Sequence, residues 1–226
     1  MYTIIVYMRH LVAAGTTPGR LHLLAERPNQ DAFGLASGPW GAVAVVCDGC
    51  GSEPKSGLGA ALGASLTARA AARQLEAGGG LDLARLAGEV LGGLSLLAET
   101  AGLDFRAHFL FTIVGAAFTG ERATLFACGD GVAAVDGAVS RLGPFPGNAP
   151  PYLAYALEGG GAALERFYEG PAERVLVGTD GAADAVLTPF LTEDRYLGNP
   201  DLVRRSLKLQ RLADDATVAL IVRREV

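Results

Sequence analysis

Apolar runs of strand length alternate with two helical periods and a series of polar turns along this chain. Thr3 to Val12 is the first strand-like run, followed by a weaker one near Leu21 to Ala25, then Ala32 to Ala36 and Gly41 to Cys47. The segment Ala42-Val43-Ala44-Val45-Val46 has the unbroken apolar character of a buried strand. The period then changes. Ser56 to Leu75 places Leu58, Leu62 and Leu66 at i, i+4 spacing, with Gly59, Gly63 and Ala70 small enough for close packing. Gly78-Gly79-Gly80 ends that helix, and Leu81 to Glu99 repeats the period through Leu83, Leu86, Val90, Leu94 and Leu97. Strand signals return in Phe109 to Thr119 and Arg122 to Cys128, joined by Gly120-Glu121. Val132 to Val135 and Ala138 to Arg141 flank Asp136-Gly137, the stronger hairpin signal. The proline-rich stretch Gly143 to Pro151 is a loop. Leu153 to Leu157, Leu164 to Tyr168 and Arg174 to Gly178 read as short strands, Pro200 to Leu212 as a helix, and Thr217 to Val222 as a closing buried strand.

This order lacks the βαβα alternation of a parallel doubly wound sheet. It predicts an α+β protein, with two mainly antiparallel sheets face to face and helices outside. No internal repeat or long linker divides the chain, so residues 1–226 are expected to form one domain.

Composition narrows the function. Half of the residues are apolar, which excludes general disorder. The net charge is −5 with no basic block, so nucleic acid is a poor partner. Met1 to Val12 is too short and too interrupted for a signal peptide, and no stretch has the length of a membrane span. A cytoplasmic protein is the expectation. Cys47, Cys50 and Cys128 make no disulfide framework. Cys47-x-x-Cys50 straddles Asp48-Gly49 instead of opening a helix, and only three histidines exist to complete a zinc site. The cysteines read as small apolar fillers, and His10 and His108 as structural.

The chemistry lies in the aspartates. Five segments carry them in tight polar contexts: Gln30-Asp31, Asp48-Gly49, Gly129-Asp130-Gly131, Asp180-Gly181 and Asp214-Asp215. Asp136-Gly137 is set apart, because a hairpin turn explains it. Two unit charges about 4 Å apart repel by roughly 4 kcal/mol at an effective dielectric near 20. Several ionised aspartates in one cleft therefore require cations, and an all-oxygen donor set suits magnesium or manganese.

The ordered set resembles the metal-dependent type 2C serine/threonine protein phosphatases, especially compact bacterial members. Gln30-Asp31-Ala32 is similar to the first acidic motif of that family, and Asp48-Gly49-Cys50-Gly51-Ser52 to its Asp-Gly-x-Gly-Gly. Thr112 stands at a strand-opening threonine, and Gly129-Asp130-Gly131 resembles Gly-Asp-Ser. Thr179-Asp180-Gly181 through Asp184 resembles Ser-Asp-Gly-x-x-Asp, and Asp214-Asp215-Ala216-Thr217 the closing Asp-Asp/Asn-x-Thr. The resemblance implies an αββα sandwich and two or three divalent cations, magnesium or manganese. It implies that Asp48 bridges two metals, that Gly49 offers its carbonyl, and that Asp180 and Asp214 complete the first. Asp130 with Asp180 would hold a third metal, and Gln30 and Asp31 would serve the second. A metal-bridging water would attack phosphoserine or phosphothreonine of a protein substrate, with a cognate kinase system as the implied partner. Ala183 to Ala213 would include a flap beside the cleft.

Two departures stand out. Glutamine replaces the usual glutamate at position 30, contributing an amide oxygen but no charge. The family's phosphate-binding arginine falls at Glu26, with Arg27 one residue later and His22 further back. Arg27 and His22 are both candidates to contact phosphate. These departures keep open a catalytically weak adaptor, a phospho-binding module on the same fold. A phosphohydrolase for small phosphorylated molecules is a third reading.

Overall fold

The computed structural model describes residues 8–225. Thr3 to Tyr7 of the first predicted strand lie outside them. Ten strands form two five-stranded antiparallel sheets. One runs β1 (Met8–Thr17), β10 (Ala216–Glu225), β9 (Arg174–Gly178), β6 (Gly131–Val135), β7 (Ala138–Leu142). The other runs β2 (Asp31–Gly38), β3 (Gly41–Asp48), β4 (Ile113–Thr119), β5 (Arg122–Cys128), β8 (Glu165–Pro171).

The continuous apolar run of β3 has a structural cause. Ala42, Ala44 and Val46 face the other sheet, among Phe118, Leu125, Val177 and Ile221. Val43, Val45 and Cys47 face outward, beneath α2 (Ser56–Glu76) and α3 (Leu83–Ala101). Both faces of the strand are therefore covered, and no polar alternation is possible. On the opposite side, α5 (Thr188–Thr192), α6 (Arg195–Gly198) and α7 (Asp201–Gln210) bury Phe190, Tyr196, Val203 and Leu207 on the first sheet. The layers are helix, sheet, sheet, helix, as the αββα expectation requires.

The close packing of α2 through Gly59, Gly63 and Ala70 is present, and Leu62 and Leu66 pack against the core, but Leu58 does not join them. Leu58 is 48% exposed, whereas Gly59, Ala60, Gly63, Ala64 and Ala68 are buried. Small residues let this backbone approach its neighbours: a Cβ on Gly59 would lie 1.8 Å from the His108 carbonyl, and one on Gly63 2.2 Å from the Phe111 ring. Leucines at the same positions would hold the helix away. The α3 pattern agrees with the sequence, with Leu86, Val90 and Leu94 buried.

Two predicted strands are helical. Leu21 to Ala25 falls in α1 (Arg20–Leu24), whose orphan amides are satisfied by a distant loop. The Arg20 amide donates to the Leu212 carbonyl at 2.9 Å and that of Leu21 to Ala213 at 3.0 Å. Leu153 to Leu157 lies in a 3₁₀ helix, Leu153–Glu158, ended by Gly159 at φ 83°. Phe109 closes α4 (Phe105–Phe109), so the predicted Phe109–Thr119 strand begins only at Ile113.

Candidate active site

Strand ends carry the aspartates to one end of the sandwich. Asp48 is the last residue of β3, and the β2–β3 register sets Asp31 directly opposite it. Directly opposed residues on antiparallel strands share a face, with Cα atoms about 4.5–5.5 Å apart. Asp130 follows β5, Asp180 follows β9, and Asp214 precedes β10, beside the end of β9. The carboxylates thus come from both sheets.

Asp48, Asp130, Asp180 and Asp214 all line one cleft of about 320 Å³, together with Gly49 and Thr112. The Thr112 amide donates to the Asp48 carbonyl at 2.8 Å and fixes the end of β3. Neither Gly49 nor Gly181 has positive φ, so neither Asp48-Gly49 nor Asp180-Gly181 is a hairpin turn of the Asp136-Gly137 kind, and Asp180-Gly181 opens a 3₁₀ helix, Asp180–Asp184. A Cβ on Gly49 would lie 2.7 Å from Ser56 Oγ, and one on Gly181 2.0 Å from the Asp215 carbonyl. Glycine is needed there so that the aspartate-bearing loops can touch. Asp136-Gly137, by contrast, has φ of 48° and 89°, a hairpin turn as expected.

The electrostatics are those of crowded anions. Burial, and then Asp31, Asp180 and Asp214, raise the Asp48 carboxyl well above its ordinary range. Burial, with Asp215 adding to it against the Thr179 hydrogen bond, pushes Asp31 up to about 7. Burial and Asp180 raise Asp130. Among the described residues lining the cleft there is no lysine or arginine to offset them. Asp31 Oδ1 is moreover buried without a hydrogen-bond partner. An oxygen-rich cleft dominated by carboxylates fits hard divalent cations.

A pH prediction follows for the metal-free protein. Native Asp31, with its carboxyl at about 7, keeps its proton where the unfolded chain has lost it. The native state then binds more protons, so stability falls as pH rises from about 4 to about 7. In EDTA the melting temperature should drop by at least about 3 °C across that window, and saturating manganese should remove the drop. A flat profile in EDTA would contradict the crowding.

The other sequence candidates fall in different places. His22 lines the cleft, with Nδ1 held 2.7 Å from Asp215 Oδ2. Arg27 is exposed; its guanidinium donates to the Gly51 carbonyl at 3.2 Å and does not line the cleft. Gln30 is 2% exposed and also does not line it. Its Nε2 donates to the Glu53 carbonyl and to Ser56 Oγ, both at 2.7 Å, which leaves Oε1 buried without a partner. Asp31 lies behind the cleft and accepts from Thr179 Oγ1 at 2.6 Å.

Asp215 was missed as a separate functional residue. It is 3% exposed and accepts from the amides of Gly19 and Gln30, each at 2.7 Å, as well as from His22. His22, Asp214 and Asp215 offer ligand atoms within 4.8 Å of one another. The Asp215 oxygens are already occupied by three donors, so it serves to join loops, and Asp214 is the one facing the cleft. The doubled Asp214-Asp215 was the available signal: next to a buried strand, one aspartate points out and the next points in. Tyr152, also missed, walls the cleft from the proline-rich loop.

No residue of Ala183 to Ala213 lines the cleft itself. That segment forms the helical layer that buries Phe190, Tyr196, Val203 and Leu207. All three cysteines are free, with Cys47 and Cys128 buried. Burial raises both thiols, Cys128 to about 12, so neither is poised as a thiolate. No described helix is long and apolar enough to cross a membrane.

The fold and the acidic cleft define the class of a metal-dependent phosphohydrolase. The family model for protein phosphatase 2C matches residues 18–211, and the chain belongs to that family. It is a metal-dependent serine/threonine phosphoprotein phosphatase. Solved structures share the fold. The catalytic domain of the serine/threonine phosphatase PstP, in complex with two manganese ions, is 21% identical, with 97% of this chain and 99% of that chain covered and a TM-score of 0.57. Stp1 from Staphylococcus aureus is 14% identical, with 97% and 95% covered and a TM-score of 0.58. A bacterial serine phosphatase is 15% identical, with 93% and 96% covered and a TM-score of 0.57. No curated protein matches the sequence.

Proposed function

We propose that Asp48, Asp180 and Asp214 hold the catalytic cations, with the Gly49 carbonyl, and that Asp130 with Asp180 offers a further position. The convergence of four carboxylates on a cleft lined by no described lysine or arginine carries this reading. Magnesium or manganese, two or three ions, would supply an activated water and neutralise phosphoryl oxygens there. From behind, Asp31 adds to the crowding on Asp48, which raises the demand for a cation there. Gln30 acts as a strut, its amide tying the Asp31 strand to the start of α2.

His22 is the better phosphate contact of the two candidates, because it lines the cleft and Arg27 does not. Asp215 accepts a hydrogen bond from its Nδ1, which leaves Nε2 as the free ring nitrogen. Nε2 is the ring atom that would reach a phosphoryl oxygen. The substrate is a phosphoserine or phosphothreonine of a partner protein, set against a kinase, in the cytoplasm. The chain works as one domain.

Hydrolysis of para-nitrophenyl phosphate tests this reading. Turnover should require manganese or magnesium, fall to background in EDTA and return with excess metal. Turnover that persists in EDTA would overturn it. The adaptor reading has little to support it, since a phospho-binding module has no use for the carboxylates; it would be favoured by tight manganese binding without any turnover.

A further inference from the structure

A second depression, of about 450 Å³, lies between α1 and α7. Leu23, Leu207 and Leu212 contribute apolar lining, and Arg20, Lys208 and Arg211 bring positive charge. Among the described residues none of these three cations is paired with a carboxylate, whereas Arg204 beside them is held by Asp201 at 2.8 Å. In a chain of net charge −5 this is a local reversal of sign. Arg211 also sits at φ 51°, in the left-handed region at the end of α7, where glycine is the least costly residue. Keeping an arginine there costs backbone strain and places a guanidinium on the depression. Leu21, Leu24 and Leu209 stand 55%, 74% and 83% exposed on the same two helices.

The depression adjoins the cleft. Leu212 lines one and Asp214 the other, two residues apart and so within about 7 Å along the backbone. The α1 turn forms the ridge between them, with Leu23 on one side and His22 on the other. We propose that this depression docks an acidic, apolar segment of the phosphoprotein substrate, close in sequence to its phosphorylated residue. The proposal rests on the phosphatase reading of the neighbouring cleft. Charge complementarity selects the acidic residues, and the leucine-lined floor takes an apolar side chain. The exposed leucines around it suit a macromolecule, and the concavity suits an inserted side chain better than the flat face of a membrane.

Two phosphothreonine peptides test it, one with an Asp-Leu-Asp segment about two to five residues from the phosphate, the other with Lys-Ser-Lys there. The wild-type protein should prefer the first by at least about tenfold in kcat/KM, less so at high salt. The K208E/R211E double variant should lose that preference through KM, with turnover of para-nitrophenyl phosphate unchanged. Arg211→Gly should weaken the preference while the melting temperature holds or rises, which separates docking from damage to the fold. Equal effects on both peptides, or no wild-type preference, would overturn the proposal. So would loss of binding to phosphatidylserine vesicles in the double variant with peptide kinetics intact, which would assign the face to a membrane. Loss of para-nitrophenyl phosphate turnover in the wild type would instead count against the cleft.

Discussion

Asp48→Asn should lower manganese-supported turnover by at least about a thousandfold and, in EDTA, raise the melting temperature. The two effects share one cause. Asp48 sits opposite Asp31 across β2 and β3 and also faces Asp180 and Asp214. With cations present, its charge is the attraction that holds them; without cations, the carboxyl must either keep a proton the unfolded chain would lose or be repelled from three sides, and both cost stability. The amide keeps the shape and removes the charge, so it forfeits metal affinity and relieves the apo protein. A thousandfold loss corresponds to about 4 kcal/mol of transition-state stabilisation. The relief in EDTA should be about 1 kcal/mol or more, read as a few degrees in the melt. A variant that lost activity and also melted lower in EDTA would point to a packing role for Asp48.

Asp215→Ala should be the most destabilising single change at the site. It strips the acceptor from the Gly19 and Gln30 amides and from His22 at once. Leaving such donors without partners costs about 1–3 kcal/mol for each buried group, so a total loss of at least about 3 kcal/mol is expected. For a chain of this size that lowers the melting temperature by about 6–12 °C. Turnover should fall as well, because His22 and α1 lose their anchor. Asp215→Asn keeps an acceptor and should recover much of the stability, but its amide presents one oxygen where the carboxylate presents two. Thermal melts and kcat/KM on both variants distinguish this from a loss of metal: an Asp215 that served only as a ligand would leave the EDTA melt unchanged.

The legible part of this protein was its regular part. Strands β3, β5, β6 and β9 were visible because burial on the central face demands unbroken or nearly unbroken apolar runs. Asp48-Gly49 and Asp180-Gly181 were legible as site residues because no hairpin followed to explain their glycines. The structure supplies the reason the glycines are there, in the close approach of Gly181 to the Asp215 carbonyl and of Gly49 to Ser56. What escaped the sequence depends on partners distant in the chain. Arg20–Leu24 is five residues long, too short for periodicity, and is held helical by the loop at 212–215. The 3₁₀ turn at Leu153–Glu158 shows a two-residue alternation that mimics a strand, and only the glycine after it reveals the end of a helix. Leu58 alone of the three α2 leucines misled, because the close packing there is made by the glycines and alanines beside it. Asp215 was hidden by its twin, since a carboxylate that orders three loops and one that faces solvent look alike in sequence.

The carboxylates are divided between the sheets, Asp31 and Asp48 on one, Asp180 and Asp214 beside strand ends of the other, and Asp130 in the link from β5 of the first to β6 of the second. A cation held among them, as proposed, would be a rivet across the seam, and its coordination distances would tolerate only a few tenths of an ångström of slip. The core between the sheets is then also part of the tuning of the site. Residues such as Phe118 and Ile221, far from any phosphate, set how the two halves of the ligand cage meet. Drift in that core over evolutionary time can change metal affinity without touching a single ligand.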